Sequence, residues 1–142
     1  MKFMLISLMI ISNAFAYPIR PDNRLTPGDL CLESDPDFKE LRYADRIPYC
    51  KRSVSSSRKR TIYSDYTIPK SERTNYTIDH LIPLSLGGSN SIYNLWPQNK
   101  KIHTGKIEQE LFWKVKKGEL TVNEAIRHLL KIKLVKSSNI PF

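Results

Sequence analysis

Four residues carry the chemistry of this chain: an acid–histidine pair, Asp79-His80, an asparagine fourteen residues after that histidine, Asn94, and a second histidine nine residues further on, His103. A carboxylate and an imidazole can share one divalent cation that keeps open positions for a substrate oxygen and for water. A second imidazole, with a pKa class near neutrality, can take the proton from the attacking water. The pattern therefore suits hydrolysis of a phosphodiester, with Asp79 and His103 on the metal and His80 as general base. Asn94 cannot act as a base, but its amide donates and accepts hydrogen bonds at once. Its expected role is to tie the loop after His80 to the following strand and so orient the imidazole. Asn99 is a rival to His103 for the last ligand position. Taken singly these residues are ordinary, and the third histidine, His128, is expected to be structural or exposed on the last helix.

These side chains need elements that bring them together. Residues 76–79 form a β-prone run ending at the acid–histidine pair. Pro83 bars a regular central strand just beyond it. Gly87-Gly88-Ser89-Asn90 reads as a loop, and Leu95-Trp96 as a short apolar strand that Pro97 ends. From residue 99 to 117 no proline interrupts, and Ile107, Leu111 and Val115 recur at helical spacing, so a helix is predicted there with Gly118 as its stop. Thr121 and Glu124 form a capping box. Val122, Ala125, Ile126, Leu129, Leu130 and Lys133 then follow one face of a last helix over about 122–135. The order over 76–117 is strand, loop, strand, helix. That unit is too small to stand alone and needs the flanking chain around it.

Upstream, residues 17–30 are rich in proline and read as an extended arm. Ser34-Asp35-Pro36-Asp37 has the form of a helix start, which predicts a short helix over about 37–45. Residues 53–66 are compatible with either a helix or a loop. Cys31 and Cys50 are the only cysteines. In an oxidising compartment an isolated pair is usually a disulfide. A cysteine metal site would need further ligands of the C-x-x-C kind nearby, and the sequence has none.

The chain of 142 residues allows one domain with a modest core. Its first sixteen residues read as a secretory signal: Met1-Lys2, an apolar run over 3–11, then Ala14-Phe15-Ala16 as the cleavage site. An apolar run of nine residues is far short of the roughly 20 needed to cross a bilayer. This predicts a bacterial protein that is secreted or periplasmic, cleaved after Ala16, with no stable membrane association. Without Lys2 the rest carries 22 Lys+Arg against 14 Asp+Glu, a net of +8. Such an excess attracts polyanions. Lys100, Lys101 and Lys106 beside the predicted helix, and Arg58, Lys59 and Arg60 upstream, can neutralise phosphates without reading sequence. A membrane-active cationic peptide fits poorly, because the basic residues are spread through a chain with caps, a cysteine pair and a core.

The stretch 76–103 resembles the HNH endonucleases of the ββα-metal (His-Me finger) superfamily. The resemblance rests on Asp79-His80, Asn94 and His103, together with the pattern D-H-L-I-P-L-x-L-G-G-x-N-x-x-x-N-L-W-P-Q. That pattern and the upstream I-P-Y-C-K-R-S-V are similar to small exported bacterial proteins of this type. The pair here is Asp-His where other members have His-His, and no flanking C-x-x-C pairs imply a structural zinc. The resemblance implies an α+β fold with a ββα-metal core over 76–117. Residues 1–16 are then the signal, 17–75 an arm and helical region with the disulfide, and 118–142 a last helix and tail. It implies a metal-dependent endonuclease acting on DNA, with RNA as a further substrate, and with little sequence specificity. The cofactor implied is one divalent ion, Mg²⁺ first, with Mn²⁺, Zn²⁺ and Ni²⁺ also suited to a carboxylate and an imidazole. Asp79 and His103 are the implied ligands, His80 and Asn94 the catalytic pair, and Lys100, Lys101, Lys106 and Arg60 the nucleic-acid contacts. The competing reading is a non-catalytic cationic protein that binds nucleic acid or a cell-envelope polymer. No oligomeric state can be read from the sequence.

Overall fold

The computed structural model describes residues 20–102 and 104–134. The predicted signal, the His103 position and the tail from 135 lie outside the described residues. The fold is α+β; among the described residues it has two separate two-stranded antiparallel sheets and three α-helices, joined by 3-10 turns. No helix among the described residues is long and apolar enough to cross a membrane.

The first sheet pairs β1 (Phe38–Arg42) with β2 (Ile47–Cys50). It replaces the helix expected over 37–45, and the local bonding shows why. The Asp35 carboxylate turns back to accept from the Leu32 N–H and so does not cap the residues after it. Tyr43 and Arg46 take positive φ, 63° and 54°, and close a tight turn instead. The Arg42 guanidinium stacks over the Tyr49 ring across the pair, 3.3 Å from its centroid. Cys50, at the end of β2, is bonded to Cys31. This disulfide matches the expectation and ties the hairpin to the N-terminal arm.

Residues 53–66 resolve in favour of a helix, α1 (Ser56–Asp65), whose N-cap Ser55 accepts from Arg58 N. The second sheet pairs β3 (Tyr76–His80) with β4 (Leu95–Asn99). Strand β4 runs through Pro97, which lies opposite Ile78. A two-stranded sheet has only edges, so the N–H that proline lacks can fall on an unpaired side. Helix α2 (Gly105–Lys116) begins later than the predicted residue 99, after a turn in which Ile102 N donates to Asn99 O. Gly118, at φ 74°, stops it as expected. Helix α3 (Val122–Leu134) starts with the capping box: Glu124 N donates to Thr121 Oγ1, and the Glu124 carboxylate accepts from Thr121 N.

Two apolar clusters make the core. Ile62, Tyr66, Ile68, Tyr76, Ile78, Leu81, Leu95 and Trp96 form one. Ile82, Leu86, Leu111, Val115, Val122, Ala125 and Leu129 form the other. The chain passes from the first to the second between Leu81 and Ile82, directly after Asp79-His80. Asp79 and His80 therefore lie beside the seam between two packed clusters, a place where polar groups are fixed on both sides.

Candidate functional site

Asn94 explains how the loop after His80 is fixed. It is fully buried. Its Oδ1 accepts from Ile82 N at 2.9 Å, and its Nδ2 donates to Ile82 O and Ser89 O, each at 2.9 Å. The side chain thus replaces a third strand for a loop that has none. Gly88 makes the approach possible, because a Cβ there would fall 1.8 Å from Ile82 O and 2.8 Å from Asn94 Nδ2. The expected tie between the His80 loop and the second strand is the geometry observed. Leu81 N also donates to Asn94 O, which extends the ladder one step past His80.

His80 is 3% exposed and both ring nitrogens are engaged. Nδ1 lies 3.2 Å from an Arg52 guanidinium nitrogen, and Nε2 lies 3.0 Å from Asn90 Oδ1. Arginine only donates, so Nδ1 is the acceptor and the proton sits on Nε2. Asn90 in turn is saturated. Its Oδ1 also accepts from Ser53 N, and its Nδ2 donates to Lys51 O and to the Asp37 carboxylate. Arg58, one of the upstream basic residues, spends its charge here by donating to Asn90 O and Ser53 O. Burial is the main influence holding the His80 imidazole below its ordinary pKa, opposed by the Asn90 bond and reinforced by the Arg52 charge. The ring is therefore neutral at neutral pH, and its one lone pair is the Nδ1 that Arg52 covers. Arg52 is itself exposed and is anchored by a 2.8 Å bond to Ile78 O.

Asp79 faces different company. Its carboxylate lies 3.5 Å from the ammonium of Lys133, on α3. Lys133 has no exposed side-chain surface and also meets Glu108 of α2 at 2.7 Å. The same Nζ donates to the backbone oxygens of His80 at 2.7 Å and Leu81 at 3.2 Å. Four hard oxygens thus converge on one cationic point beside His80. Glu108 is further bonded by Thr104 Oγ1, which Gln98 of β4 contacts.

No protein-family model, curated protein or solved structure matches this chain. Asp79, His80 and Asn94 are gathered at one end of the β3–β4 pair, with His80 opposite Leu95 and Asp79 opposite Trp96. Asn99 is not brought to them. It lies three residues past Trp96 along β4, roughly 10 Å at strand spacing, and its side chain accepts from Lys101 N. Lys100, Lys101, Lys106 and Arg60 are all exposed, with no salt bridge among the described residues. Lys100 and Lys101 follow the Asn99 end of β4, while Lys106 lies in the first turn of α2, two residues before Glu108. His128 is exposed on α3, as expected.

Four residues of the site escaped the sequence reading: Arg52, Asn90, Glu108 and Lys133. Lys133 left a visible signal, being a lysine on the apolar stripe of α3. The chemistry of the donors fits a hard divalent cation, since carboxylate and carbonyl oxygens are what Mg²⁺ and Mn²⁺ take. Cys31, Cys50 and Asp35 also lie together, but the disulfide consumes both sulfurs and leaves no thiolate to bind. The cleft lined by Asp29, Asp35, Asp37, Arg58, Ser89 and Asn90 is mainly acidic and unsuited to a polyanion.

Proposed function

We propose that this chain is an exported, metal-dependent endonuclease with a ββα-metal core made of β3, β4 and α2. The observation that carries the reading is the state of His80: a neutral imidazole, its Nε2–H locked to a saturated amide, with the single lone pair directed at an exposed guanidinium. A general base needs that lone pair directed outward and a proton-free ring at working pH. Asp79, with His103 as its companion, would hold the divalent ion, which when bound supplies charge stabilisation to the phosphate and the leaving oxygen. Asn90 holds the base in one tautomer, and Asn94 holds the loop that carries it. Arg52 gives up Nδ1 when a phosphate arrives, since its planar fork matches phosphate oxygens as well as it matches the ring. Lys100, Lys101, Lys106 and Arg60 would add sequence-independent attraction for DNA or RNA.

The test is nicking of supercoiled plasmid by the mature protein across Mg²⁺, Mn²⁺, Zn²⁺ and Ni²⁺, with EDTA as control. Cleavage is expected with at least one ion, abolished by EDTA, and reduced about 10²–10⁴-fold in His80→Ala and His80→Gln that retain the native circular dichroism. Intact plasmid under every ion sinks the enzyme reading. One observation favours a second reading, a cationic protein that binds nucleic acid or a cell-envelope polymer without cutting: both His80 nitrogens are already satisfied within the chain. Salt-sensitive binding that persists unchanged in His80→Ala, without cleavage, would establish it.

A further inference from the structure

Among the described residues, Lys133 is the one charged side chain that is wholly buried, and neither the base nor the scaffold of the proposed reaction uses it. Its position is that of a bound cation. The Nζ atom is ringed by Asp79 Oδ2, Glu108 Oε1, His80 O and Leu81 O at 3.5, 2.7, 2.7 and 3.2 Å. Two carboxylates and one ammonium leave the group one negative charge in excess when all three are ionised. The ammonium is held unequally. Three contacts are within ordinary hydrogen-bond length, and the one to Asp79 is the longest and sits at the limit. Asp79 is also the more exposed of the two carboxylates, at 26% against 21% for Glu108.

We infer that Lys133 is an internal competitor for the metal: its ammonium fills part of the cation position, and a divalent ion reaching Asp79 must loosen that contact. The inference rests on Asp79 being a metal ligand. An ion bonded to Asp79 would lie about 2.1 Å from the carboxylate. The ammonium is 3.5 Å from the same oxygen. The two like charges would then stand within roughly 5–6 Å of each other, with the ammonium itself wholly buried. Lys133 keeps Glu108 and the two backbone oxygens when it lets Asp79 go, so the fold need not open. In the metal-free protein the same ammonium holds Asp79 in place and offsets the repulsion of the two carboxylates. Helix α3, which the strand-loop-strand-helix unit does not include, thereby acts on the site as a positioning element.

Calorimetric titration with Mn²⁺ tests this without any cleavage assay. Lys133→Met is expected to bind Mn²⁺ about tenfold tighter than the native chain or more, within the usual range of site-to-site coupling. Its metal-free melting temperature should fall. Lys133→Arg should keep the native affinity, and adding Asp79→Asn to Lys133→Met should remove the gain. Lys133→Gln, which also removes the charge but can still meet the backbone oxygens of His80 and Leu81, should show the same gain; this arm holds even if Lys133→Met fails to fold. Equal Mn²⁺ affinity in the native chain and in whichever of Lys133→Met and Lys133→Gln folds overturns the inference and leaves the nuclease reading standing. Absence of binding in every variant with Mn²⁺, Mg²⁺, Zn²⁺ and Ni²⁺ alike overturns both.

Discussion

On one side of β3, His80 is held by a saturated amide and a guanidinium, Asn90 and Arg52, through directional bonds of 3.0 and 3.2 Å. On the other side, Asp79 is held by an ammonium at 3.5 Å that has three better partners. The contrast matches what each group would have to do. A base must keep one tautomer and one orientation through the reaction, which directional bonds to both nitrogens provide. A ligand must be able to change partners when a cation arrives, which a long, non-directional contact to a point charge allows. One side is built to stay and the other to exchange, and the largest perturbations should be those that remove what both sides share.

Asn94 and Gly88 are that shared support. Asn94→Leu leaves Ile82 N, Ile82 O and Ser89 O without partners, and each unsatisfied buried group costs roughly 1–3 kcal/mol. A loss of about 3 kcal/mol or more is expected in urea unfolding. Gly88→Ala should do at least as much harm, because its Cβ would lie inside the contact distance of a backbone oxygen. A loss under about 1 kcal/mol in both variants would mean that the loop holds itself, and that the two sides of β3 have no common base.

The disulfide comes next and should divide the two sides. Cys50 precedes Lys51, whose carbonyl accepts from Asn90, and Arg52, which covers His80. Cys31→Ser with Cys50→Ser is expected to cost about 3 kcal/mol and to depress any cleavage. Mn²⁺ affinity, a property of the Asp79 side, should stay near native when measured at a temperature where the variant is folded. An equal loss on both would show that the hairpin acts on the whole site.

How much of this was legible in the sequence obeys the same division. The Asp79-His80, Asn94 frame was readable because its parts lie within one strand-loop-strand span, where residue type and local spacing carry the information. Helix α3 and its cap were readable from periodicity and from Thr121 and Glu124. The hairpin β1–β2 was not. Asp35-Pro36 has the composition of a helix start, and the choice was made by a carboxylate that turns back to Leu32 and by a disulfide to a residue nineteen positions away. Arg52 and Lys133 meet the strand only through tertiary packing, 26 and 54 residues distant along the chain, and Glu108 reaches the site through its ion pair with Lys133. Nothing local announces such contacts, apart from a lysine standing where the apolar stripe of α3 calls for a hydrophobe.

Asn90→Leu is the more selective blow to the His80 side. It removes the acceptor for Nε2–H and frees the ring to adopt the other tautomer. The expected result is about a 10²-fold loss of cleavage, with Mn²⁺ affinity near native. Long-range ¹⁵N correlation spectra should show His80 as the Nε2–H form in the native chain and as a mixture in the variant. A variant that keeps both the single tautomer and the activity would assign the orientation to Arg52 alone.

The smallest effect should be that of pH on the fold, and it tests whether the His80 side is truly held neutral. Burial lowers the folded-state pKa of His80, whereas in the unfolded chain the group titrates near its ordinary value of about 6.5. Between those two values the unfolded state binds more protons, so stability rises with pH there. The contribution is fully present above about pH 6.5 and is lost as the pH falls from there through the lower folded value. One histidine can contribute a slope of no more than about 1.4 kcal/mol per pH unit. Urea unfolding between about pH 7.5 and 5 should therefore show the native chain losing stability faster than His80→Gln. Parallel curves would mean that the imidazole charges without cost in the fold. In that case Asn90 and Arg52 would not be holding a neutral ring, and the two sides of β3 would differ less than their bonding suggests.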